Sequence, residues 1–295
     1  MLALGTRLED TRLLSMIKPS TATLHHPLKR NSNMASALSK PRDYKYIAEK
    51  YSQLNKTQVE YGKKLVKVLD LKHGDKVLDM GCGTGEITSF IADQVGEEGE
   101  VIGVDPDEER IKVAIQKHCV AKKNIKFIAG DSSSHFPHYN EGYYDVHFGN
   151  YVLHWLTAQE KEIFLKTAFT CLKPGGRIAI QTNEKIPEIY IRSAELLPDK
   201  EIEDNKPPFK TIERSIAESM LLNFGFEIVS SEFVEQNLVF PSLDNFLAWF
   251  CASVYIDEGK IVPDKKEAFA KTFVNEDGTV PVDKTIWRII AKKSN

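Results

Sequence analysis

Apolar residues recur at helical spacing from Tyr44 to Leu71 (Ile47, Tyr51, Leu54, then Leu65, Val68 and Leu69), which predicts two helices, with Gly74-Asp75 ending the second. The period then changes. Lys76 to Met80 is a short apolar run followed at once by Gly81-Cys82-Gly83-Thr84-Gly85, and Ile87, Phe90, Ile91 and Val95 mark an amphipathic helix, giving strand, tight loop, helix. Glu100 to Val104 reads as a second strand ending in Asp105-Pro106, with Glu108 to Lys117 as its helix. Asn124 to Ala129 reads as a third, ending in Gly130-Asp131, and Tyr144 to Phe148 as a fourth, followed by a helix over Ala158 to Leu172. A turn at Lys173-Pro174-Gly175-Gly176 leads into a fifth strand, Arg177 to Gln181. Strands that alternate with helices predict a parallel, doubly wound α/β sheet.

Beyond the fifth strand the alternation breaks. Ile186 to Leu197 and Thr211 to Phe224 read as helices separated by a polar stretch through Pro207-Pro208, part of a lid. Phe226 to Phe240 suits a sixth strand and Thr285 to Lys292 a last one. Between them Leu243 to Val254 and Lys265 to Val274 read as two helices, an insertion able to close over the sheet ends. The aromatic stripe Phe246, Trp249, Phe250 and Tyr255 packs that insertion onto the sheet. The first forty residues show no sustained periodicity, and their basic side chains are opposed only by Glu9 and Asp10. Residues 1–40 therefore read as a disordered tail or an organelle transit peptide, and 41–295 as the folded domain.

A chain of 295 residues has length for one large α/β domain with insertions. Its formal net charge of −3 shows no basic excess, so nucleic acid is not the expected partner. No apolar run approaches the roughly 18 to 20 residues needed to span a bilayer, so a soluble protein with no membrane partner is expected. Cys82, Cys119, Cys171 and Cys251 lie far apart without a CxxC pair, which suggests neither a metal site nor a disulfide framework. A reducing compartment fits: the cytoplasm, or the mitochondrion if the first forty residues are a transit peptide.

The loop after the first strand is the central chemical signal. Glycines let the backbone turn tightly and approach a ligand without a Cβ in the way, at the carboxyl ends of strands where doubly wound folds bind nucleotides. A dinucleotide fingerprint wants a third Gly or a small residue at position 86, where this chain has Glu86. A carboxylate there would oppose a pyrophosphate at the helix N-terminus.

Val77-Leu78-Asp79-Met80-Gly81-Cys82-Gly83-Thr84-Gly85 resembles the first motif of the class I S-adenosylmethionine-dependent methyltransferases, hydrophobic-Leu-Asp-x-Gly-x-Gly-x-Gly, at every defined position. The resemblance covers about Tyr44 to Lys293. It implies a seven-stranded sheet, mostly parallel with an antiparallel last strand and helical lid insertions, and S-adenosyl-L-methionine as cofactor. On it, Asp79, Gly81, Cys82, Gly83 and Gly85 form the cofactor loop, and Asp105 with Pro106 ends the second strand, where an acid accepts hydrogen bonds from both ribose hydroxyls. Asp131 and Ser132 match the position that contacts the adenine amino group, Asn150 follows the fourth strand, and Leu172-Lys173-Pro174-Gly175-Gly176 matches the turn before the fifth. Acids and aromatic faces on one rim would attract a sulfonium cation with an amino-acid tail, and Tyr44, Tyr46 and Tyr51 are candidates for that aromatic face or for ordinary packing.

Gly149-Asn150-Tyr151-Val152-Leu153-His154-Trp155-Leu156 is similar to the carboxyl methyltransferases that act on trans-aconitate and juvenile hormone acid, and Tyr51 to Gln58 resembles the juvenile hormone acid enzymes, where a Gln of the N-terminal helix reaches the acceptor carboxylate. Gln58 is the match, with Gln53 the alternative. The implied acceptor is a small carboxylic acid, which is ionised at neutral pH and needs aim in place of a base. Trp155 offers one N–H donor and Gln58 two. His154 reads either as a packing residue or as a base for a phenol, amine or carbon acceptor. A degenerate, non-catalytic cofactor-binding protein is the alternative of another class.

Overall fold

Thr157 and Glu160 show how the sequence starts its helices: the Thr157 hydroxyl accepts the Glu160 N–H at 3.2 Å while the Glu160 carboxylate accepts the Thr157 N–H at 2.7 Å, a reciprocal cap that opens α5 (Ala158–Cys171). The computed structural model describes residues 43–133, 136–199 and 209–294. The first forty residues and the Pro207-Pro208 stretch lie outside them.

Before α5 come α1 (Tyr44–Leu54), α2 (Lys56–Leu69), β1 (Lys76–Met80), α3 (Glu86–Val95), β2 (Glu100–Asp105), α4 (Glu108–Ala114), β3 (Ile125–Ala129) and β4 (Tyr144–Asn150). After it come β5 (Leu172–Asn183), α6 (Glu188–Ala194), α7 (Arg214–Asn223), β6 (Phe226–Phe240), α8 (Leu243–Val254), α9 (Pro263–Phe273) and β7 (Val280–Lys293). The seven strands lie in the order β3-β2-β1-β4-β5-β7-β6. β1 to β5 pair in parallel, and β7 runs antiparallel to both β5 and β6. The doubly wound sheet with an antiparallel last strand is as the sequence implied.

Several boundaries differ. α2 stops at Leu69 because Asp70 turns left-handed (φ 52°), five residues before the Gly74-Asp75 signal. The Lys173 to Gly176 segment is built into an extended β5, with Tyr144 paired to Leu172 and a register shift before Val146. β7 begins at Val280, five residues early, because Val280 and Val282 are buried and pair with Phe240 and Leu238 of β6. The helix after β2 ends as a single π-turn, Ile115–Cys119.

Two apolar layers sandwich the sheet. α2, α3 and α4 cover one face through Leu65, Ile91, Ile111 and their neighbours. α5 and α7 cover the other through Phe164, Leu165, Ala217 and Leu221, against Leu78, Ile178 and Trp287. A third cluster joins α6, α8 and α9 to the start of β7 through Tyr190, Phe246, Trp249, Phe269 and Val282. Strand alternation sets which side chains reach which layer. On β7, Trp287, Ile289 and Ala291 meet the α5 layer, while Ile290 meets the α2 layer and Val282 the α8 cluster.

Candidate active site

The loop after β1 is pinned to the end of β2, since the Gly81 and Cys82 N–H groups both donate to the Val104 carbonyl, at 2.7 and 3.1 Å. Gly81, Gly83 and Gly85 all have positive φ. Two of them serve packing inside the protein: a Cβ on Gly81 would collide with Val152, and one on Gly85 would sit 2.6 Å from the Phe127 ring. Gly83 differs. Its nearest neighbour would be the Tyr51 ring at 3.7 Å, so here the backbone is open.

Asp105 ties this bend to the next strand end. One carboxylate oxygen accepts the Gly83 N–H and the other the Asp107 N–H, each at 2.9 Å. Burial pushes its carboxyl up, opposed chiefly by the nearby Arg110. Asp79 is 2% exposed and, among the described residues, accepts only the Thr88 hydroxyl, at 2.6 Å. Burial raises it to about 7, so a cation nearby would decide its charge. Cys82 is buried, which raises its thiol well above its ordinary value. Asp131 is half-buried, and one of its oxygens takes the Ser133 N–H and hydroxyl. The Ser132 carbonyl accepts the Thr167 hydroxyl at 2.6 Å, and Pro106 is exposed. The Asn150 amide is held on both sides, donating to the Gln58 carbonyl at 3.2 Å and accepting from Gln181 at 2.6 Å.

Two residues of this rim have roles that sequence reasoning missed. The Glu86 carboxylate accepts from Ser52, Asn55 and Thr84, so the residue that broke the dinucleotide pattern fastens α1 and the start of α2 to the glycine loop. The Arg110 guanidinium carbon lies 4.1 Å from the centre of the Tyr51 ring and 4.7 Å from that of Tyr255. Its Nε and Nη2 atoms are buried without hydrogen-bond partners among the described residues. The Tyr255 hydroxyl donates to Asp107 at 2.7 Å, while the other Asp107 oxygen caps α4. Tyr51 thus lies over the loop, whereas Tyr46 is 56% exposed and Tyr44 packs near the Tyr255 ring.

Of the residues expected to handle an acceptor, Gln58 is half-buried with its side-chain amide oxygen taking the Trp249 indole N–H at 3.2 Å, while Gln53 is exposed. That contact joins α2 to the α8 insertion. Trp155 packs on the rings of His154 and Phe209 and is only partly buried. His154 is 4% exposed and its Nδ1 lies 2.7 Å from the Thr182 hydroxyl. Burial lowers it to about 3, with Lys284 and Lys161 acting in the same direction, so the imidazole is neutral across the physiological range. A proton-accepting role for His154 does not fit this placement, because a ring so resistant to protonation is a weak base. Among the described residues no group of three or more His, Cys, Asp or Glu side chains could hold a metal. All four cysteines are free thiols, and no described helix is long and apolar enough to cross a membrane.

The sequence profile of the methyltransferase-domain family matches residues 71–235, more than half of the chain. The chain belongs to the class I S-adenosylmethionine-dependent methyltransferases. Among its relatives, the demethylmenaquinone methyltransferase of Lactobacillus johnsonii is 33% identical over 45% of this chain and 56% of its own length. That of Lactococcus lactis is 37% identical over 42% of this chain and 48% of its own length. Phosphoethanolamine N-methyltransferase 3 of Arabidopsis thaliana is 28% identical over 74% of this chain and 40% of its own length. The match thus spans about half the length of these relatives. A methyltransferase structure from Bacillus halodurans superposes with a TM-score of 0.57 at 18% identity, over 79% of this chain and 99% of that one. The Bacillus subtilis YcgJ protein gives 0.56 at 18% identity, over 79% and 98%. These two likenesses concern the fold.

The methyltransferase cofactor, S-adenosylmethionine, fits the rim. Asp79, Asp105 and Asp131 bring acids to three strand ends, Gly83 leaves bare backbone beside Asp105, and the Tyr51 ring lies over it. Burial raises Asp79 and Asp105, and a cationic ligand favours their ionised form.

Proposed function

We propose that this chain transfers a methyl group from S-adenosylmethionine to a carboxylate of a small, partly apolar acid, giving the methyl ester. The single observation that carries this is a buried imidazole unsuited to be a base, which leaves Gln58 and Trp155 as candidate N–H donors. The Gln58 amide is turned by its bond from Trp249, the Trp155 indole N–H has no acceptor among the described residues, and His154 is locked neutral against Thr182. A carboxylate needs no proton removed; a phenol or amine does.

S-adenosylmethionine, when bound, supplies an electrophilic methyl carbon on a sulfonium. Asp105 would hold the ribose hydroxyls, Asp131 with Ser132 the adenine edge, and Asp79, Gly81, Cys82, Gly83 and Gly85 the amino-acid end. Asn150, fastened to α2 and β5, sets the loop after β4 from which Trp155 is presented. Gln58 and Trp155 aim one carboxylate oxygen, and holding reacting atoms within about 3 to 3.5 Å supplies several kcal/mol of the barrier reduction. The aromatic cluster of Tyr190, Phe246 and Trp249 offers an apolar wall and excludes water.

The relatives' names point to a menaquinone precursor and a phosphorylated amine as those proteins' acceptors. A carbon or nitrogen acceptor here would need a base other than His154. Release of S-adenosylhomocysteine across a panel of carboxylic acids, phenols and amines decides between them. Turnover of acids whose kcat/KM falls at least tenfold with Trp155→Ala supports the carboxylate reading; turnover confined to phenols or amines refutes it.

A further inference from the structure

Lys284 is 92% buried in a part of the sheet the proposed reaction leaves without a role. It stands on β7 two residues before Ile286, the partner of Asn183 at the end of β5, and so at the carboxyl-end rim where the glycine loop also lies. Its ammonium lies 4.7 Å from the centre of the Tyr151 ring and meets no carboxylate or hydrogen-bond acceptor among the described residues. A lysine in such surroundings usually finds a counter-ion or gives up its proton.

The surroundings are polar and unfinished. Across the β6–β7 ladder Lys284 is directly opposite Gln236, and across β5–β7 Gln181 and Asn183 are opposite Arg288 and Ile286, so all of these project from one face. The Gln236 oxygen takes the Tyr151 hydroxyl at 2.8 Å, leaving its Nε2 without a partner. Gln181 Oε1, Asn183 Oδ1 and the Tyr190 hydroxyl are likewise buried and unsatisfied among the described residues. Native interiors rarely leave several such atoms together unless a ligand or water completes them. Water could satisfy the amides, but it does not neutralise an ammonium.

We infer that Lys284, with the free amide of Gln236 and the Tyr190 hydroxyl, forms the anion-binding corner of the acceptor site and takes the carboxylate of an apolar acid. Three observations select that class. One unpaired positive charge matches one negative charge, since Arg288, the next cation on this face, already lies 3.3 Å from Glu232. The Gln236 and Tyr190 groups can each donate to a carboxylate oxygen. The corner adjoins the aromatic cluster through Val282 and Tyr190, which suits an apolar body behind the acid. Lys284's role presupposes the acid acceptor proposed above. An ion pair that stabilises the bound acid also blunts its oxygen as a nucleophile, so loss of the ammonium should raise KM more than it lowers kcat.

The test uses decanoate and its uncharged analogue decanamide, titrated calorimetrically into the full chain loaded with S-adenosylhomocysteine. Lys284 as counter-ion gives the parent at least a tenfold preference for decanoate, which falls below twofold in Lys284→Met while decanamide binding is unchanged. Lys284→Gln, which keeps hydrogen bonding without the charge, should behave as the Met variant and stands in if that one fails to fold. No preference in the parent, or a preference that survives in both variants, overturns the inference. So does a Lys284→Met enzyme that loses kcat on a phenol or amine and retains the acid preference, because the amine would then be a base. An enzyme that methylates acids with unchanged KM in both variants sinks the Lys284 corner and leaves the carboxylate reading standing. One that binds decanoate through Lys284 but methylates only phenols or amines keeps Lys284 as an anion site while refuting both the carboxylate reading and its place in the acceptor site.

Discussion

Replacing Lys284 by Met should make the free protein more stable, with a pH signature fixed by the direction of the lysine's shift. Burial lowers Lys284 from 10.5 to about 7, and nothing offsets it. At about 1.4 kcal/mol per unit, a depression of this size costs of order 3 to 5 kcal/mol of folding free energy at pH 7 and below. The sign follows from proton counting. Between pH 7 and 10.5 the unfolded chain holds a proton on this amine and the native chain does not, so native stability rises with pH across that window. Met fills a similar length with apolar atoms and removes the charge. The nearby titratable groups do not mask the effect: burial lowers His154 to about 3 and pushes the phenols of Tyr151 and Tyr190 up, so all three stay neutral, while Arg288 is paired with Glu232. Urea denaturation at pH 6, 8 and 10 measures the difference. Lys284→Met should exceed the parent by about 3 kcal/mol or more at pH 6, and the gap should shrink steadily toward pH 10. A variant less stable than the parent at pH 6, or a gap independent of pH, would show that the ammonium is neither buried nor unpaired as described.

Two further outcomes test the loop and the acceptor chemistry. Gly85→Ala forces φ 85° on a residue with a Cβ and brings that atom to 2.6 Å from Phe127, so denaturation should show a loss of about 2 to 4 kcal/mol; a loss under 1 kcal/mol would mean the loop is not held as drawn. Because the ordinary His value near 6.5 is lowered to about 3 in His154, kcat at saturating acceptor should stay flat from pH 6 to 8, and a fall below pH 6.5 would restore the imidazole as a base.

Much of this architecture could be read from the chain because strand ends in a doubly wound sheet are written locally. A short apolar run stops at Asp79, Asp105 or Asp131 within a residue or two of a glycine or proline, and no distant contact is needed to see it. The 226–240 strand and the 243–254 helix were legible for the same reason, with alternation in one and a helical apolar stripe in the other. The start of β7 was not, because Pro281 and Asp283 mask the buried Val280 and Val282 that pair it to β6. Arg110 and Lys284 were illegible for a deeper reason. A charged residue one turn into a helix, or at an alternate strand position, reads as solvent-facing, and only tertiary structure brings Tyr51 and Tyr255 around the one and Tyr151 and Gln236 against the other. His154 read either as packing or as a base because its bond to Thr182 comes from a strand 28 positions away.

The rim of acids around Gly83 is the part on which all else stands. Calorimetric titration of S-adenosylmethionine into the parent chain and into Asp105→Asn tests it most directly, since that change keeps the shape while removing the charge that accepts the Gly83 and Asp107 N–H groups. Saturable one-to-one binding by the parent, weakened by roughly a hundredfold in the Asn variant, is the expected result for loss of charge-assisted bonds to a diol. A parent that does not bind, or an Asn variant that binds as tightly, would contradict the account.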